Sequence, residues 1–433
     1  MGDRNLLGNE DSAVFSADDM VRFGAERGWK LLLALYNAAA RGVTLRVLTA
    51  KESVSGGSGG RLPDELQLLV DAFPERVLVR CWSGDDWYGG GILHQKIWLF
   101  DQRDVYIGSA NMDWKSLAQV MEVGVLLEGL APSSPLLLDV QKLFDTWWAW
   151  ASPELAVQTA TYVSERFQSA LQVPSWSLYL PKDQRTADPF VAAHLEANGN
   201  ITHQMRVAFA SSATPSTRTP AAPANVFFAA APLEATAAHS RAFDEDALVY
   251  TIRSAKARVS LSVMDFAPFS IYKLASHAGP VYWSALTDAL LEGVYAKKGL
   301  RVRVLVSEWQ HSHPQIAPAL ALLQAQADLC TRMRGACSGR LEIRRFRVPG
   351  WANTTSSTAA ARAAWPAYTR VNHAKFIVTD ARANVGTSNM EWGYFYTTAG
   401  ASVNTDHEPT RAALEALFDR NWDSIYAAPL EKR

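Results

Sequence analysis

The sequence predicts a duplicated α/β protein, in which each of two lobes combines a mixed β-sheet with flanking helices. Two observations predict this fold class: helix-then-strand segments of the first half recur in the second half, and one polar motif occurs once in each half. Alternation of helices and strands is typical of α/β lobes. The chain has 433 residues, of which 48% are hydrophobic and 20% charged, and this is sufficient for a bilobed globular protein.

The first repeated unit is a helix followed by a strand. An apolar-periodic helix over Trp29–Arg41 leads into the β-rich run Gly42–Leu48, and the pair recurs as Val281–Lys298 and Gly299–Leu305. The two glycines that begin the strands are separated by 299 − 42 = 257 residues. Further matched segments are Arg76–Arg80 with Arg340–Arg344, and Leu143–Trp148 with Leu417–Trp422.

The repeat divides the chain into a first lobe of residues 1–210 and a second lobe of residues 226–433, joined by residues 211–225. The joining stretch is rich in Ser, Thr, Pro and Ala and has no periodicity, which is typical of a flexible connection or a surface loop. A similar stretch, Ala352–Ala364, precedes the second motif. We interpret it as an insertion over the active-site face, the alternative being a surface loop without function.

The first lobe is expected to lack one strand. Arg258–Met264 is a good strand before the helix of the second lobe, and subtracting 257 places its counterpart at about Met1–Leu7, a poor strand. The sequence therefore predicts that an initial strand is missing from this chain. An upstream anchor or signal segment would be missing with it.

Each half carries the motif His-x-Lys-x4-Asp, followed by a glycine-containing turn and an asparagine. The first copy contains His94, Lys96, Asp101, Ser109 and Asn111, and the second contains His373, Lys375, Asp380, Thr387 and Asn389. Residues i and i+2 of a strand point to the same face of a sheet. Each His is therefore expected to project with its Lys into one site, which the Asn reaches from the neighbouring strand.

Two copies of this motif suit in-line displacement at phosphorus, which needs a nucleophile on one side and a leaving-group acid on the other. Two lobes facing across a pseudo-twofold axis would place one histidine at each end. Lys96 and Lys375 are expected to neutralise the non-bridging oxygens, and the two motif asparagines to donate hydrogen bonds to them. Because the lysines supply the positive charge, neither a metal nor another cofactor is expected.

The roles of the two histidines are assigned through Glu122. It stands 11 residues after Asn111 and is predicted to hold an imidazole tautomer, whereas the corresponding position of the second half is Gly400. The oriented imidazole is the better nucleophile, so we predict that His94 attacks and that His373 is the general acid and base. The alternative for Glu122 is a solvated residue without a role.

Four further motif residues are expected to support the site. Asp101 and Asp380 lie five residues beyond each lysine and are predicted to be structural, anchoring a strand-end turn or pairing with a basic group. Ser109 and Thr387 belong to the glycine-containing turns and are supporting candidates.

Composition and cysteine usage narrow the possible classes. The formal net charge of −1 provides no global positive field, so phosphate must bind at a local site. The sequence contains neither a run of 18 apolar residues nor a signal-peptide pattern in its first 30 residues. Cys330 and Cys337 are close enough to form a disulfide, the alternative being that they and Cys81 are free thiols. His311 and His313 form an isolated His-x-His, which favours a loop or pocket role over metal binding.

The motifs resemble those of the phospholipase D superfamily. Segments similar to the third and fourth phospholipase D paralogues of animals, a branch shared by poxvirus envelope proteins, are Gly108–Gln119, Tyr368–His373, Gly386–Asn389 with Tyr394–Phe395, and Asn421–Tyr426. The resemblance implies a duplicated, bilobed phospholipase D fold with a sandwiched mixed sheet in each lobe. It also implies acid-pH 5′-exonuclease activity on single-stranded DNA and RNA in the endolysosomal lumen. Such proteins are type II membrane proteins before processing, and two Asn-x-Thr sequons, at Asn200 and Asn353, agree with a lumenal location.

Three functions stay open at this point. A single-strand exonuclease would hold bases by aromatic stacking, and the candidate rings are Trp87, Tyr88, Trp309, Trp351 and Trp392. A phospholipase D or phosphatidyltransferase would use the same histidines with an apolar route for acyl chains. A non-catalytic membrane-trafficking or assembly protein is disfavoured by the intact motifs. The expected partners are single-stranded nucleic acid or phospholipid, a membrane contacted through the missing N-terminal segment, and a second copy in a homodimer.

Overall fold

The computed structural model describes residues 6–51, 62–175, 178, 205–209, 221–236, 241–272, 280–333, 337–349 and 365–430. It confirms the α/β prediction and the repeated helix–strand units. The elements of the first half are α1 Asn9–Ser12, α2 Ala17–Phe23, α3 Glu26–Ala40, β1 Leu45–Ala50, α4 Asp64–Ala72, β2 Val77–Trp82, α5 Gly84–Tyr88, β3 Ile97–Phe100, β4 Asp104–Gly108, α6 Trp114–Ala118, β5 Gly124–Leu127, α7 Pro135–Trp150, β6 Thr159–Ser164, β7 Ser169–Pro174 and β8 Met205–Phe209. Those of the second half are β9 Ala222–Ala231, β10 Ala242–Phe243, α8 Asp244–Ser254, β11 Arg258–Val263, α9 Ala285–Ala296, β12 Arg301–Ser307, α10 Ile316–Arg332, β13 Arg340–Phe346, β14 Phe376–Thr379, β15 Ala383–Gly386, α11 Gly393–Tyr396, β16 Gly400–Thr405, α12 Glu408–Trp422 and β17 Ala427–Pro429.

The second lobe is built on one ten-stranded sheet. Its strand order is β10-β9-β16-β15-β14-β11-β12-β13-β17, with β8 paired to β9. Strand β11 joins the two parts of this sheet, because it pairs parallel with β12 and antiparallel with β14. All but the first residue of β11 are buried, which is typical of a strand covered on both faces.

The first lobe repeats this plan without the joining strand. Strands β1 and β2 pair in parallel, as β12 and β13 do, and β3-β4-β5 form an antiparallel sheet like β14-β15-β16. Within the described part of the chain, no strand links these two small sheets. At the predicted counterpart of β11, residues 6–8 are not a strand and residues 1–5 lie outside the described residues. Most of β1 is consequently only half-buried.

The boundary between the lobes differs from the one predicted. Strand β8 falls within the range assigned to the first lobe, yet it pairs with β9 in the sheet of the second lobe. Strand β9 itself begins at Ala222, inside the stretch predicted to be a linker. The composition of residues 211–225 shows where the periodic pattern of helices and strands is lost. It does not show which sheet a neighbouring strand joins, because strand pairing decides that. The rest of the predicted linker (residues 211–220), the stretch Ala352–Ala364, both sequons and Trp351 lie outside the described residues.

The two lobes share one apolar core. Val105 and Ile107 of β4 pack in the same buried cluster as Val385 of β15 and Val403 of β16. Full burial of each such side chain stabilises the fold by about 1.5–3 kcal/mol. This shared core fixes the turn that follows each motif relative to the other lobe.

A disulfide joins Cys330 and Cys337, whose Cα atoms are 5.4 Å apart, and this decides between the alternatives left by the sequence. Cys81 is not part of a disulfide. Among the described residues, no helix combines the length and the apolar character that crossing a bilayer requires.

Candidate active site

The structure brings the histidines of the two motifs together. The ring centroids of His94 and His373 are 6.3 Å apart, and the ring planes are inclined by 69°. Both side chains are buried, with 5% and 8% of their surface exposed. Neither histidine lies on the predicted strand, because β3 and β14 begin only after the motif lysine. Each histidine belongs to the segment that leads into its strand.

Each histidine is positioned by the opposite lobe. Leu93 forms a parallel β-bridge with Ala399, and Met121 forms one with Asn372. The backbone N–H of His94 donates to the Ala399 carbonyl over 3.0 Å, and that of His373 donates to the Met121 carbonyl over 2.8 Å. The two bridges are counterparts under the repeat, since 372 − 93 = 279 and 399 − 121 = 278. One lobe alone therefore cannot hold its own histidine in place.

The two lysines adopt matching conformations. Lys96 Nζ donates to the carbonyl oxygen of His94 over 2.8 Å, and Lys375 Nζ donates to that of His373 over 2.6 Å. Burial lowers the pKa of Lys375 to about 8, and burial together with Lys375 lowers the pKa of Lys96 well below its usual value. Two buried ammonium groups near each other favour a bound anion. The site is therefore electrostatically prepared for a phosphate group.

Glu122 was predicted to orient His94, the histidine of its own lobe, but it contacts the histidine of the other lobe. Both of its carboxylate oxygens lie 3.0 Å from Nδ1 of His373, and Ser109 Oγ donates to the same carboxylate over 2.5 Å. With Nδ1–H donating to a carboxylate, the lone pair of His373 Nε2 is free to attack. The prediction was wrong because Met121 forms its β-bridge with the second lobe, and this places the next residue, Glu122, beside His373. Spacing along the chain could not reveal that exchange.

The charges of this pair reflect competing effects. Burial raises the pKa of Glu122, but His373, Lys375 and Ser109 outweigh it and hold that pKa below its usual value. For His373, burial acts most strongly and, with Lys375, lowers the pKa to about 4 despite the carboxylate. In the free site Glu122 is thus ionised and His373 is neutral at neutral pH.

His94 has a different environment. The position equivalent to Glu122 is Gly400, since 122 + 278 = 400, and a Cβ there would lie 2.3 Å from Ser388 Oγ. Nδ1 of His94 is buried and, among the described residues, has no hydrogen-bond partner. The ring of Tyr394 packs edge-on against His94 at 5.0 Å. Burial, followed by Lys96, lowers the pKa of His94 well below 6.5.

The motif asparagines are not equivalent. Asn389 is fully buried, and its Nδ2 donates to Asp265 Oδ2 over 3.2 Å and to the Tyr394 hydroxyl over 3.1 Å. In this structure Asn389 therefore fixes Tyr394 and Asp265, instead of presenting both amide hydrogens to phosphate oxygens as predicted. Asn111 is half-buried. Asp265 was not predicted as a site residue, although an acidic residue directly after the strand Arg258–Met264 was a usable signal.

The supporting candidates divide into two pairs. Ser109 Oγ accepts from the Val123 N–H and Thr387 Oγ1 accepts from the Ala401 N–H, each over 3.0 Å, so both hydroxyls brace the turn after the motif. The motif aspartates differ from each other.

Asp380 accepts the backbone N–H groups of Lys256, Ala257 and Arg258 at 3.0–3.2 Å, and so fixes the start of β11. Although burial opposes it, these N–H groups hold the pKa of Asp380 below its usual value. Asp101 lies exposed in the hairpin turn between β3 and β4, with φ at 48°. Asp101 lies in the turn at the end of its strand, one of the two roles predicted for both aspartates, whereas Asp380 instead binds backbone N–H groups at the start of β11.

The aromatic residues predicted to stack on bases differ in their exposure. Trp87, Tyr88 and Trp392 are buried with 1–2% exposure and belong to the core. Trp309 is half-buried beside His311 on the face that carries the motifs.

Two facing imidazoles, each paired with a lysine and held by the opposite lobe, define the class of this protein as a phosphodiesterase of the two-histidine type. The family models agree. The PLD-like domain of PLD3/4 matches residues 195–351, and the PLD-like domain of cardiolipin synthase matches residues 19–148.

Named relatives are similar over most of the chain. Phospholipase D Z of Dictyostelium discoideum is 30% identical over 94% of this chain and 78% of its own length. The human 5′-3′ exonuclease PLD3 is 29% identical over 94% of this chain and 69% of its own length, and the mouse 5′-3′ exonuclease PLD4 is 30% identical over 79% and 57%. The crystal structure of phosphatidylserine synthase from Haemophilus influenzae matches 94% of this chain and 80% of its own with a TM-score of 0.50 and 11% identity, a likeness of fold. The chain belongs to the phospholipase D superfamily and has PLD3/4-like domains.

Proposed function

We propose that this phosphodiesterase is a 5′–3′ exonuclease of single-stranded DNA or RNA that acts through a phosphohistidine intermediate. The observation that carries the proposal is the pair of imidazoles facing each other at 6.3 Å, each followed by a buried lysine. That pair supplies both ends of an in-line displacement at phosphorus. The choice of nucleic acid and of direction follows the relatives whose names describe them as 5′-3′ exonucleases.

His373, rather than His94, is the proposed nucleophile. A nucleophilic imidazole needs its second nitrogen occupied by a hydrogen bond that fixes the tautomer and stabilises the positive charge formed on attack. Glu122 provides that bond to His373 at 3.0 Å, whereas the buried Nδ1 of His94 has no such partner among the described residues. The sequence prediction used the same rule, that the histidine bound to Glu122 is the nucleophile. Because Glu122 contacts His373 and not His94, the rule now assigns the opposite histidine.

The reaction then proceeds in two balanced steps. Nε2 of His373 attacks phosphorus, the P–O bond to the leaving strand breaks, and the protonated His94 transfers its proton to the leaving oxygen. In the second step His94 takes a proton from water, the water oxygen attacks phosphorus, and the P–N bond to His373 breaks. Lys96 and Lys375 balance the charge on the non-bridging oxygens in both steps.

The test is an exonuclease assay on a 5′-labelled and a 3′-labelled single-stranded oligonucleotide with a 5′-hydroxyl, at pH 5 and in EDTA. We expect stepwise shortening from the 5′ end by the wild-type protein and none by His94→Ala or His373→Ala. Circular dichroism of both variants controls for folding. Internal fragments in place of a ladder would contradict the exonuclease assignment, while dependence of the wild-type rate on added metal would contradict the lysine-based mechanism.

Hydrolysis of phospholipids is the second candidate. It is favoured by the similarity to a relative named phospholipase D Z, which is 30% identical. The same two-histidine chemistry serves both substrates, so the discriminating measurement is turnover of phosphatidylglycerol and phosphatidylcholine vesicles beside the oligonucleotide. Turnover of lipid alone would change the proposed substrate from nucleic acid to phospholipid and would leave the proposed two-histidine mechanism unchanged. Full biological activity of His94→Ala would instead support the non-catalytic alternative.

A lumenal, acidic location is part of the same proposal. The disulfide between Cys330 and Cys337 supports it, because such bonds persist in oxidising compartments. The lowered pKa values of both histidines support it as well, since His94 must carry a proton to act as the acid. Location of the tagged full-length protein by microscopy tests this, and a cytosolic distribution would contradict it.

A further inference from the structure

Three aromatic side chains form a continuous group beside the motif of the second lobe, which we call the aromatic shelf: Trp309, His311 and Tyr368. The rings of His311 and Tyr368 are stacked, with centroids 4.5 Å apart and planes inclined by 14°. Trp309 packs edge-on against His311 at 4.8 Å and lies 6.3 Å from Tyr368. Tyr368 is 42% exposed, so the shelf ends at the surface in a large aromatic ring.

The shelf is tied directly to the catalytic segment. Trp309 follows the carboxyl end of β12, where Ser307 Oγ donates over 2.5 Å to the carbonyl oxygen of Asn372, the residue before His373. Tyr368 precedes His373 by five residues, which limits the distance between their Cα atoms to about 18 Å. Successive bases of a strand are separated by about 3.4 Å when stacked. The shelf thus lies within a few nucleotides of the phosphate between the two histidines.

The loop that presents Tyr368 is held in an unusual conformation. Tyr368 and Arg370 both have positive φ, at 59° and 61°, a region that residues other than glycine rarely adopt. Local bonds maintain it: Thr369 Oγ1 donates to the Pro366 carbonyl over 2.6 Å, and Arg370 Nε donates to the Pro349 carbonyl over 2.8 Å. Such outliers concentrate at ligand-binding sites, where the surrounding structure enforces them.

The chemistry of the shelf suits a nucleobase. Stacked flat rings at a surface bind any base through its π-face, which is how sequence-tolerant single-strand proteins hold their ligands. The ammonium of Lys115, a buried residue of the first lobe, lies 6.0 Å from the centre of the Tyr368 ring and is paired with the Asp11 carboxylate at 3.2 Å. An acyl chain has neither a π-face nor a phosphate along its length. The arrangement therefore favours a nucleic acid over a lipid.

We propose that the aromatic shelf is a nucleobase-binding subsite, in which Tyr368 stacks on one base of the single strand whose phosphate is cleaved between the lobes. This rests on the proposed nuclease function and goes beyond it, because it assigns the residues that select a strand with bases. Tyr368 is a binding residue here and takes no part in bond breaking.

The experiment combines protein variants with abasic substrates. The kcat/KM of the wild-type protein, Tyr368→Ala, Tyr368→Phe and His311→Ala is measured on an oligonucleotide and on a series in which one base at a time is replaced by an abasic residue. The matched control is Phe100→Ala, because Phe100 is 43% exposed and stacks on Trp98 at the far end of the first motif. We expect a loss of about tenfold in kcat/KM for Tyr368→Ala, near-complete retention in Tyr368→Phe, and no loss in Phe100→Ala.

The decisive result is the coupling between ring and base. One abasic position should reduce the wild-type kcat/KM by about tenfold and have little further effect in Tyr368→Ala. Additive losses at every position, or an equal loss in Tyr368→Phe, would overturn the subsite while leaving the nuclease intact. A wild-type protein that cleaves phospholipid and leaves the oligonucleotide whole would overturn the proposed function, and the subsite with it.

Discussion

The two histidines of the candidate active site lie in different environments. His373 donates to the Glu122 carboxylate at 3.0 Å, whereas the equivalent place beside His94 is Gly400 and is filled by Ser388. The lysines match, because each donates to the carbonyl oxygen of its own histidine, whereas the motif asparagines and aspartates differ between the halves. The repeat supplies two similar imidazoles, and the carboxylate bound to His373 is the reason for proposing it as the nucleophile.

The largest expected effect is the loss of activity when either histidine is replaced by alanine. Each variant is measured on two substrates that differ in their leaving group. We expect His373→Ala to reduce kcat on an oligonucleotide and on thymidine 3′-(p-nitrophenyl phosphate) alike, by about 10⁴-fold or more. His94→Ala should lose about 10²–10⁴-fold in kcat/KM on the oligonucleotide, where the leaving oxygen needs a proton, and far less in kcat/KM on the nitrophenyl ester, whose nitrophenol leaves before the P–N bond is hydrolysed. Steady-state kinetics on both substrates measures this.

The same variants identify the intermediate. His94→Ala should accumulate acid-labile phosphoenzyme from the nitrophenyl ester, because hydrolysis of the P–N bond lacks its base. Phosphoenzyme found on His94 in a His373→Ala protein would reverse the assignment of the two roles.

Removal of the carboxylate tests the asymmetry itself. Glu122→Gln keeps the shape of the side chain but replaces the anion, so we expect kcat to fall by about 10²–10³-fold on both substrates. The control is Asp101→Asn, a carboxylate in an exposed turn, which should leave kcat unchanged. An equal loss in both variants would show that Glu122 acts only through the fold.

The pH dependence sharpens the comparison further. His94 must be protonated, and burial lowers its pKa well below 6.5, so kcat/KM on the oligonucleotide should fall about tenfold per pH unit from below pH 6.5 upward. The nitrophenyl ester needs no proton and should lack this decline. Its rate should fall only below about pH 4, where His373 is protonated, and above about pH 8, where Lys375 loses its charge. A common profile for both substrates would argue against His94 as the acid.

The smallest effect concerns the two motif aspartates. Asp380 accepts three backbone N–H groups at the start of β11, and the described part of the first lobe has no corresponding strand beside Asp101. We expect Asp380→Asn to lower the free energy of unfolding by about 1 kcal/mol, and Asp101→Asn by much less. Urea unfolding at pH 7 measures both values.

The sign of its pH dependence follows from linkage. The folded state holds the pKa of Asp380 below its usual 3.8, so the stability it contributes is present above that value and is lost as the pH falls through the lower, folded pKa. A deficit of Asp380→Asn that persists unchanged at pH 2 would show that charge is not its cause.

The repeat made most of the fold predictable. Helix–strand units recur in the same order in both halves, and the observed strands β1 and β12 begin within three residues of the predicted starts. The weak strand sequence at the start of the chain also agrees with the absence of a strand at residues 6–8. The predicted lobe boundary does not match the position of β8. A five-residue edge strand can pair with any sheet that has a free edge, and its sequence does not show which sheet that is.

The sequence by itself determined which residues are predicted to carry the chemistry, because two copies of His-x-Lys-x4-Asp in matched repeats leave little choice of catalytic groups. Only the tertiary structure decided how those groups are shared. The bridges Leu93–Ala399 and Met121–Asn372 join the two lobes and place Glu122 beside His373, whereas Nδ1 of His94 has no hydrogen-bond partner in the part of the chain that the structure describes. Spacing along a chain specifies which residues are neighbours within one segment, whereas hydrogen bonding and packing between the two lobes determine which side chain meets which.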